Sequence, residues 1–234
     1  MTDVADSFAT ALALIAGLDP MLLEIVRLSL MVSLSAVAIA TLIGLPLGAA
    51  VALGRFPGRG VIIVVLNAFM GLPPVVVGLF VYLMLSRAGP LGPLGILFTP
   101  AAMIAAQTLL VLPIIAALAR QIVEDLWAEY SEQLRSLGAG PGRAVWTLLW
   151  DGRFSLTAAV LAGFGRASAE VGSIMIVGGN IAGTTRTMTT AIALETSKGD
   201  LPLALGLGLI LIGLVTLINT AAFLVSETAK RRVA

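Results

Sequence analysis

The chain has 234 residues, a net charge of +1, no cysteine and no histidine, and 59% of its residues are hydrophobic. Its mean hydropathy of +1.05 is too high for a water-soluble domain of this size, whose core could not bury so much apolar surface. The missing Cys and His residues exclude disulfides and thiolate metal sites and argue against most enzymes, and the small net charge argues against nucleic acid as a partner. The composition therefore predicts an integral membrane protein surrounded by lipid.

Residues 1–20 form a separate segment at the N-terminus. The segment is apolar, but Asp3 and Asp6 precede its apolar part and no basic residue occurs before Arg27, so it lacks the basic start of an export signal. We expect either a short outer-surface helix that ends at Asp19-Pro20 or a frayed tail.

Five apolar stretches are each long enough for a membrane helix, which needs about 20 apolar residues to cross the hydrocarbon. They predict an all-α, polytopic protein with one transmembrane domain over residues 1–234 and spans near residues 25–53, 61–86, 100–119, 154–177 and 201–225. Five spans place the two termini on opposite sides of the membrane.

The basic residues predict the orientation, because Lys and Arg near span ends are retained on the cytoplasmic side. With the N-terminus outside, nine basic residues face the cytoplasm: Arg55, Arg59, Arg120, Arg135, Arg143, Arg153, Lys230, Arg231 and Arg232. Four face outward: Arg27, Arg87, Arg186 and Lys198. The sequence therefore favours an N-out, C-in protein.

The second predicted span contains Gly71-Leu72-Pro73-Pro74 near its middle. Pro73 and Pro74 remove backbone donors and force a kink or a break. Broken helices at membrane depth occur where they line a cavity, so Pro73 and Pro74 are predicted to belong to the translocation path or its gate. The alternative is a kink used only in helix packing.

The fourth predicted span carries two charged residues, Arg166 and Glu170. Charges inside a span are costly unless they face protein or water. Glu170 lies four residues after Arg166, on the same predicted helix face, so the two could neutralise each other in a structural network. The alternative is that Arg166 touches an anion path, and both interpretations place the two residues facing protein or water. We assign both, with Pro73 and Pro74, to the predicted translocation path or gate.

Residues 121–152 form the largest polar segment, and the orientation places them in the cytoplasm. Helical spacing puts Leu126, Tyr130, Leu134 and Leu137 on one stripe, and Gly138-Ala139-Gly140-Pro141 ends the helix before a second apolar turn. A helix pair with an exposed apolar stripe is suited to a groove on another protein, and the alternative is a hairpin lying flat on the membrane.

The segment Glu132-Gln-Leu-Arg-Ser-Leu-Gly138 resembles the coupling loop of ABC importer permeases. The pattern of that loop is Glu-Ala-Ala, three further residues and Gly, followed after nine residues by Ile-x-Leu-Pro. Glu132 and Gly138 hold their places and Leu148 stands at the apolar position. Gln133 and Leu134 replace the alanines, and Trp150-Asp151 replaces Leu-Pro. The resemblance implies that this segment contacts an ATP-binding subunit through Glu132, Gln133, Leu134, Leu137, Gly138, Gly140 and Pro141.

Two further stretches, Gly71–Gly78 and Ile174–Gly183, are similar to permeases of molybdate and tungstate importers. The continuation through Arg186 to Asp200 resembles the tungstate-type branch more closely. The resemblance implies a homodimer of permeases with a cytoplasmic ATPase dimer and an extracytoplasmic oxyanion-binding protein, in a prokaryotic plasma membrane. The chain has no P-loop sequence, so no cofactor is expected in it, and ATP and Mg²⁺ would be used by the partner ATPase.

The outer segment after the fourth span is rich in hydrogen-bond donors. It supplies Asn180, Thr184, Thr185, Arg186 and Thr187, all able to donate to an oxyanion or to contact a binding protein. The alternative is a re-entrant loop whose threonines satisfy their own backbone.

The sequence thus favours an importer permease that works by alternating access and carries tungstate, with molybdate next and sulfate third. An ATP-independent channel or carrier is the main rival, because it would explain Arg166 and Glu170 without a partner ATPase. An intramembrane enzyme is a weaker rival, because its spans lack His, Cys and paired carboxylates.

Overall fold

In the computed structural model, residues 8, 9, 12, 13, 16, 17 and 19–233 are described, and all regular secondary structure among them is helical. The α-helices within these residues are α1 (Pro20–Leu53), α2 (Arg59–Met70), α3 (Pro74–Leu85), α4 (Pro100–Ser136), α5 (Pro141–Asp151), α6 (Arg153–Ser168), α7 (Gly172–Gly178), α8 (Met188–Lys198) and α9 (Leu201–Val233). A 3₁₀ turn covers Gly92–Leu94. The all-α prediction is confirmed, whereas the predicted helix within residues 1–20 falls mostly outside the described residues.

Among the described residues, three helices are long and apolar enough to cross a membrane: α1, α4 and the Leu201–Ala229 part of α9. Two further pairs of shorter helices are long and apolar enough to cross a membrane when the two members are counted together. Both pairs are bent at a short break: α2 and α3 by 104°, and α6 and α7 by 59°. Counting each bent pair as one span gives up to five spans, the number that the sequence predicts. The N-out, C-in orientation and the span boundaries stay predictions.

The helix boundaries follow local backbone chemistry. Pro20, Pro74, Pro100 and Pro141 each stand at the first position of a helix, where the missing N–H is not needed by the helix. Asp19 caps α1, because its Oδ1 accepts the N–H groups of Met21 and Leu22 at 2.9 and 3.1 Å.

The chain divides into two compact units. The first consists of Met1–Ala36, Pro73–Gln107 and Ala167–Ile218, and the second of Val37–Leu72, Thr108–Arg166 and Asn219–Ala234. The prediction of one transmembrane domain over residues 1–234 stays a prediction.

In the first unit, α1, α8 and α9 share a buried apolar cluster. Its buried members are Leu22, Ile25, Met188, Ala191 and Leu207. One polar contact joins two of these helices: the Ser29 hydroxyl donates to the Ile25 carbonyl of its own helix at 2.7 Å and accepts the first N–H of α8 at 2.7 Å. The serine thus satisfies a helix-start donor that has no partner within α8.

In the second unit, the end of α1 lies very close to α4. A methyl group added at Gly48 would lie 2.4 Å from the Ala116 carbonyl oxygen and 2.9 Å from the Ala119 side chain. Close backbone approach through small residues is the usual means of helix association in membranes, where burial of apolar surface gives little driving force.

Gly48→Ala is therefore expected to destabilise the protein by about 1–3 kcal/mol, the usual range for overpacking, because the nearest atoms belong to backbone that cannot yield. Thermal unfolding of the detergent-solubilised protein checks this. Gly60→Ala in α2 is the matched control, since no atom lies within 4 Å of the added methyl group. Equal melting temperatures for the two variants would contradict the close approach.

Candidate coupling hairpin and translocation joint

The hairpin between α4 and α5 begins with a helix end that requires glycine. Gly138 has a φ of +70°, and the Ala139 N–H bonds to the Leu134 carbonyl at 2.9 Å while the Gly138 N–H bonds to the Arg135 carbonyl at 3.0 Å. This pair of bonds is the Schellman motif, which needs a left-handed residue at the position of Gly138. The predicted stop at Gly138–Pro141 is confirmed, and Gly140 directly precedes Pro141 at the start of α5.

The apolar stripe predicted on α4 is mostly covered. Leu126, Tyr130 and Leu134 pack against a buried cluster that α5 completes through Leu148, a residue only 1% exposed. The expectation of an exposed stripe is therefore wrong for these three residues, because α5 folds back over them. Leu137 is the exception, with 82% of its surface exposed.

The apolar surface that the hairpin does expose consists of Leu137 at its tip and two tryptophans of α5. Trp146 and Trp150 are 73% and 66% exposed. A groove of about 260 Å³ runs beside Leu137 and is lined by Tyr130, Gln133, Leu134, Leu137, Thr147, Leu148 and Asp151. Glu132 and Gln133 are exposed on the last turns of α4. The predicted coupling residues thus lie together, around one accessible tip.

The second site is a joint between α3 and α7 in the first unit. A methyl group on Gly78 would lie 2.7 Å from the Cα of Ser173, and one on Gly172 would lie 2.9 Å from the Val75 side chain. Pro74 begins α3, so the predicted Gly71–Pro74 break leads directly into this joint. The predicted gate residues Pro73 and Pro74 are thereby next to the segment that follows Glu170.

Glu170 lies in the break between α6 and α7 rather than on a continuous helix. Its carboxylate accepts the Ser173 N–H at 2.9 Å, and its carbonyl accepts the Thr189 hydroxyl at 2.7 Å. The expectation that Glu170 shares a helix face with Arg166 is wrong, because α6 ends at Ser168 and the carboxylate is used to satisfy the first turn of α7. Arg166 lies in the last turn of α6 and is half-buried.

Four buried side-chain polar atoms of the first unit have no hydrogen-bond partner among the described residues, and two of them are the Ser173 hydroxyl and the side-chain oxygen of Gln107. The Gln107 amide nitrogen donates to the Ala167 carbonyl at 2.9 Å, near the end of α6. Glu170, Ser173 and Gln107 are each less than 3% exposed. Buried groups that lack a partner are costly, so they mark places where water, an ion or a second conformation supplies one.

The outer segment after α7 is a structured loop. Asn180 has a φ of +51°. Thr185 donates to the Gly178 carbonyl at 2.6 Å and accepts the Ile181 N–H at 2.9 Å. Thr187 forms a capping box with Thr190 at the start of α8. These threonines satisfy the backbone, as in the alternative interpretation of this loop.

The remaining predicted donors in this loop are less engaged. Thr184 is exposed, and the Arg186 Nε and the Asn180 side-chain oxygen are buried atoms without a hydrogen-bond partner. The Asn180 amide nitrogen makes a long bond of 3.4 Å to the Thr190 carbonyl. Asn180, Thr184 and Arg186 are thus the predicted oxyanion contacts that keep hydrogen-bonding capacity.

Comparison with known proteins identifies the family. The chain is 39% identical, over 97% of its length and 100% of the relative, to the tungstate uptake system permease protein TupB of Peptoclostridium acidaminophilum. It is 41% identical to a probable anion ABC transporter permease protein of Haloferax volcanii over 85% of this chain and 88% of the relative. The chain belongs to the permease family of anion ABC transporters.

A third relative, the TupB of Campylobacter jejuni, is 37% identical over 92% of this permease and 90% of its own length. No protein-family model matches the permease. Membership makes the protein a multi-pass membrane component of a transporter rather than an enzyme, and an ABC system places ATP hydrolysis on a separate subunit.

Two features of these sites were missed in the sequence. Gly48 could have been found, because Gly44 and Gly48 have the four-residue spacing of close helix contacts. The contacts of Gly78 with Ser173 and of Gly172 with Val75 have no such spacing signal, since each joins two helices that are far apart in sequence.

Gly138→Ala is expected to weaken the Schellman motif by about 1–2 kcal/mol, because alanine is strained at positive φ, whereas Gly138→Asn should cost less. Faster hydrogen exchange at the Ala139 amide reports the loss. Gly142→Ala serves as control, since Gly142 lies within α5, has no positive φ and has no atom within 4 Å of an added methyl group. Unchanged exchange in Gly138→Ala would argue against the motif.

At the joint, Gly78→Ala is expected to lower stability by about 1–3 kcal/mol, since the added methyl group meets the Ser173 backbone. Gly71→Ala is the matched control in the same region, because its nearest atom, the Ala68 carbonyl oxygen, would lie at an ordinary 3.6 Å. Melting temperatures of both variants in detergent measure the difference. If Gly78→Ala melts with the parent protein, α3 and α7 are not in close contact.

Proposed function

We propose that the protein is the permease subunit of an ATP-driven tungstate importer. The observation that carries the proposal is the 39% identity to a tungstate uptake permease across nearly the whole chain. The exposed hairpin tip supports it, because an ABC permease needs a surface through which ATPase closure reaches the spans, and a channel or carrier does not.

The mechanism follows from the two sites. The partner ATPase binds ATP and Mg²⁺, and its closure moves the hairpin around Glu132–Gly138. The exposed Leu137 is the side chain that loses water in the contact, and a few buried anchors dominate the binding energy at interfaces. The spans then change between inward-open and outward-open states, each favoured by a different nucleotide state of the ATPase.

The path for the anion runs between two copies of the permease in this proposal, since five spans can hardly enclose a path for a dianion alone. A separate extracytoplasmic binding protein delivers tungstate in a prokaryotic plasma membrane. Asn180, Thr184 and Arg186 are proposed to contact the anion or the binding protein, because Thr184 is exposed, the Arg186 Nε has no partner among the described residues and the Asn180 amide nitrogen makes only a long bond. A path of this kind must bind weakly enough to release the ion.

Reconstitution tests the proposal. Proteoliposomes that hold the permease, its ATPase and its binding protein should take up labelled tungstate only when ATP is present, and unlabelled molybdate and sulfate should compete less well than unlabelled tungstate. Uptake by the permease alone, down a gradient and without ATP, would replace the importer with a channel or carrier. Stronger competition by molybdate or sulfate would reassign the substrate and leave the importer in place.

Leu137→Asp is expected to weaken binding of the ATPase by at least about 2 kcal/mol, because a charge would replace an apolar anchor. Co-purification and titration of the ATPase measure the loss. Leu94→Asp is the matched control, since Leu94 is also strongly exposed, at 60%, but lies in the turn that precedes α4, whereas the hairpin follows the other end of α4. Equal ATPase affinity in both variants would contradict the role of the hairpin.

A further inference from the structure

One arginine in the second unit bonds to two other helices. Arg59 is the first residue of α2, and its Nε donates to the Val51 carbonyl at 2.8 Å while its Nη2 donates to the Ala52 carbonyl at 3.2 Å. The same guanidinium forms an ion pair with Glu124 of α4. A single side chain thus joins α1, α2 and α4.

The carbonyls that Arg59 binds are in the last turn of α1, which ends at Leu53. The final four carbonyls of a helix have no partner within the helix, and cations are favoured there by the helix dipole. Arg59 therefore satisfies two of these acceptors and places a positive charge where the α1 terminus attracts it. Lysine could not reproduce this, because only guanidinium offers several donors in a fixed plane.

Glu124 also pairs with Arg120, four residues earlier on α4. This second pair lies within one helix and ties no other element. Glu124 is adjacent to Val123, which is fully buried in the cluster that α5 completes through Leu148. The carboxylate that holds Arg59 is therefore attached to the base of the coupling hairpin.

α2 has few other attachments to this unit. Leu66 is its one residue classed as buried in the described structure, and it packs against Ala116 and Ala117 of α4. The loop before α2 contributes backbone hydrogen bonds to the helix start, from the Arg59 N–H to the Phe56 carbonyl at 3.3 Å and from the Val61 N–H to the Gly58 carbonyl at 3.0 Å. The Arg59 contacts are a main connection between α2 and the hairpin base.

We propose that Arg59 and Glu124 are positioning residues that transmit movement of the coupling hairpin to α2, and through α2 to the Gly71-Leu72-Pro73 break that follows it. The proposal rests on the proposed function, because it assigns a route for the motion that the ATPase starts. The bonds of Arg59 to the α1 carbonyls stabilise that helix end, whereas the ion pair with Glu124 contributes little to folding, since the two side chains are 30% and 34% exposed.

The test separates transport from hydrolysis in the reconstituted complex of permease, ATPase and binding protein. Arg59→Gln is expected to leave ATP hydrolysis within about twofold of the parent, while tungstate uptake per ATP hydrolysed falls about tenfold, within the usual range of coupling between sites. Arg55→Gln is the matched control, because Arg55 is an exposed arginine of the loop that precedes α2. Arg120→Gln should have a smaller effect than Arg59→Gln, since Arg120 contacts the same carboxylate but joins no second helix.

A chemical cross-link between positions 59 and 124 provides a second experiment, which keeps the proposal testable if Arg59→Gln folds poorly. The chain has no cysteine, so Arg59→Cys with Glu124→Cys can be joined selectively by a short bis-maleimide. The joined variant should regain uptake per ATP, whereas the same variant without the linker should not. Recovery supports transmission through this link, and failure to recover after verified cross-linking overturns it.

The outcomes also separate this proposal from the proposed function. If the parent complex takes up tungstate with ATP but hydrolysis and uptake fall in parallel in Arg59→Gln, the importer stands and the transmission role is rejected. Equal uptake per ATP in Arg59→Gln and Arg55→Gln rejects it as well. If the parent complex shows no ATP-dependent uptake, the importer itself fails.

Discussion

Backbone amides and carbonyls without access to water are the constraint on which this structure depends. In hydrocarbon each unpaired group costs several kcal/mol, so the chain is helical wherever it can be and supplies substitutes wherever a helix stops. The Ser29 hydroxyl accepts the first N–H of α8, and Glu170 accepts an N–H in the first turn of α7. Thr185 serves a carbonyl and an N–H of the loop that follows.

The same constraint explains why the polar residues of this protein are difficult to classify from sequence. Threonines and a glutamate inside apolar segments look like ligands for an ion, and several of them are instead partners of the backbone at helix breaks. Donor capacity that remains after these bonds, as at the Arg186 Nε, is a better guide to function than the presence of donors alone.

Much of the architecture could be predicted from the sequence because it depends on local signals. The apolar stretches, the break at Gly71–Pro74 and the helix end at Gly138 each follow from the residues at those positions. The stripe on α4 could not be predicted as buried, since its cover comes from the packing of α5. The end of α6 at Ser168, before Glu170, was also hidden, because the break depends on contacts of Glu170 with α7 and α8. The predicted coupling residues come from family resemblance, whereas the Arg59–Glu124 link joins residues 65 positions apart and has no sequence signal.

The length of α4 has a mechanical consequence. One helix of 37 residues carries both a predicted span and the base of the hairpin, and at 1.5 Å per residue it is about 55 Å long. In the proposed mechanism, a small tilt of the helix at Ser136 therefore displaces its Pro100 end in the opposite direction about the contacts that hold its middle in place. Pro113, within the helix, lacks the N–H that would bond to the preceding turn and so forms a compliant point along the rod. The stiffness of the helix on either side of Pro113 therefore determines how much of a movement at Ser136 is transmitted to Pro100.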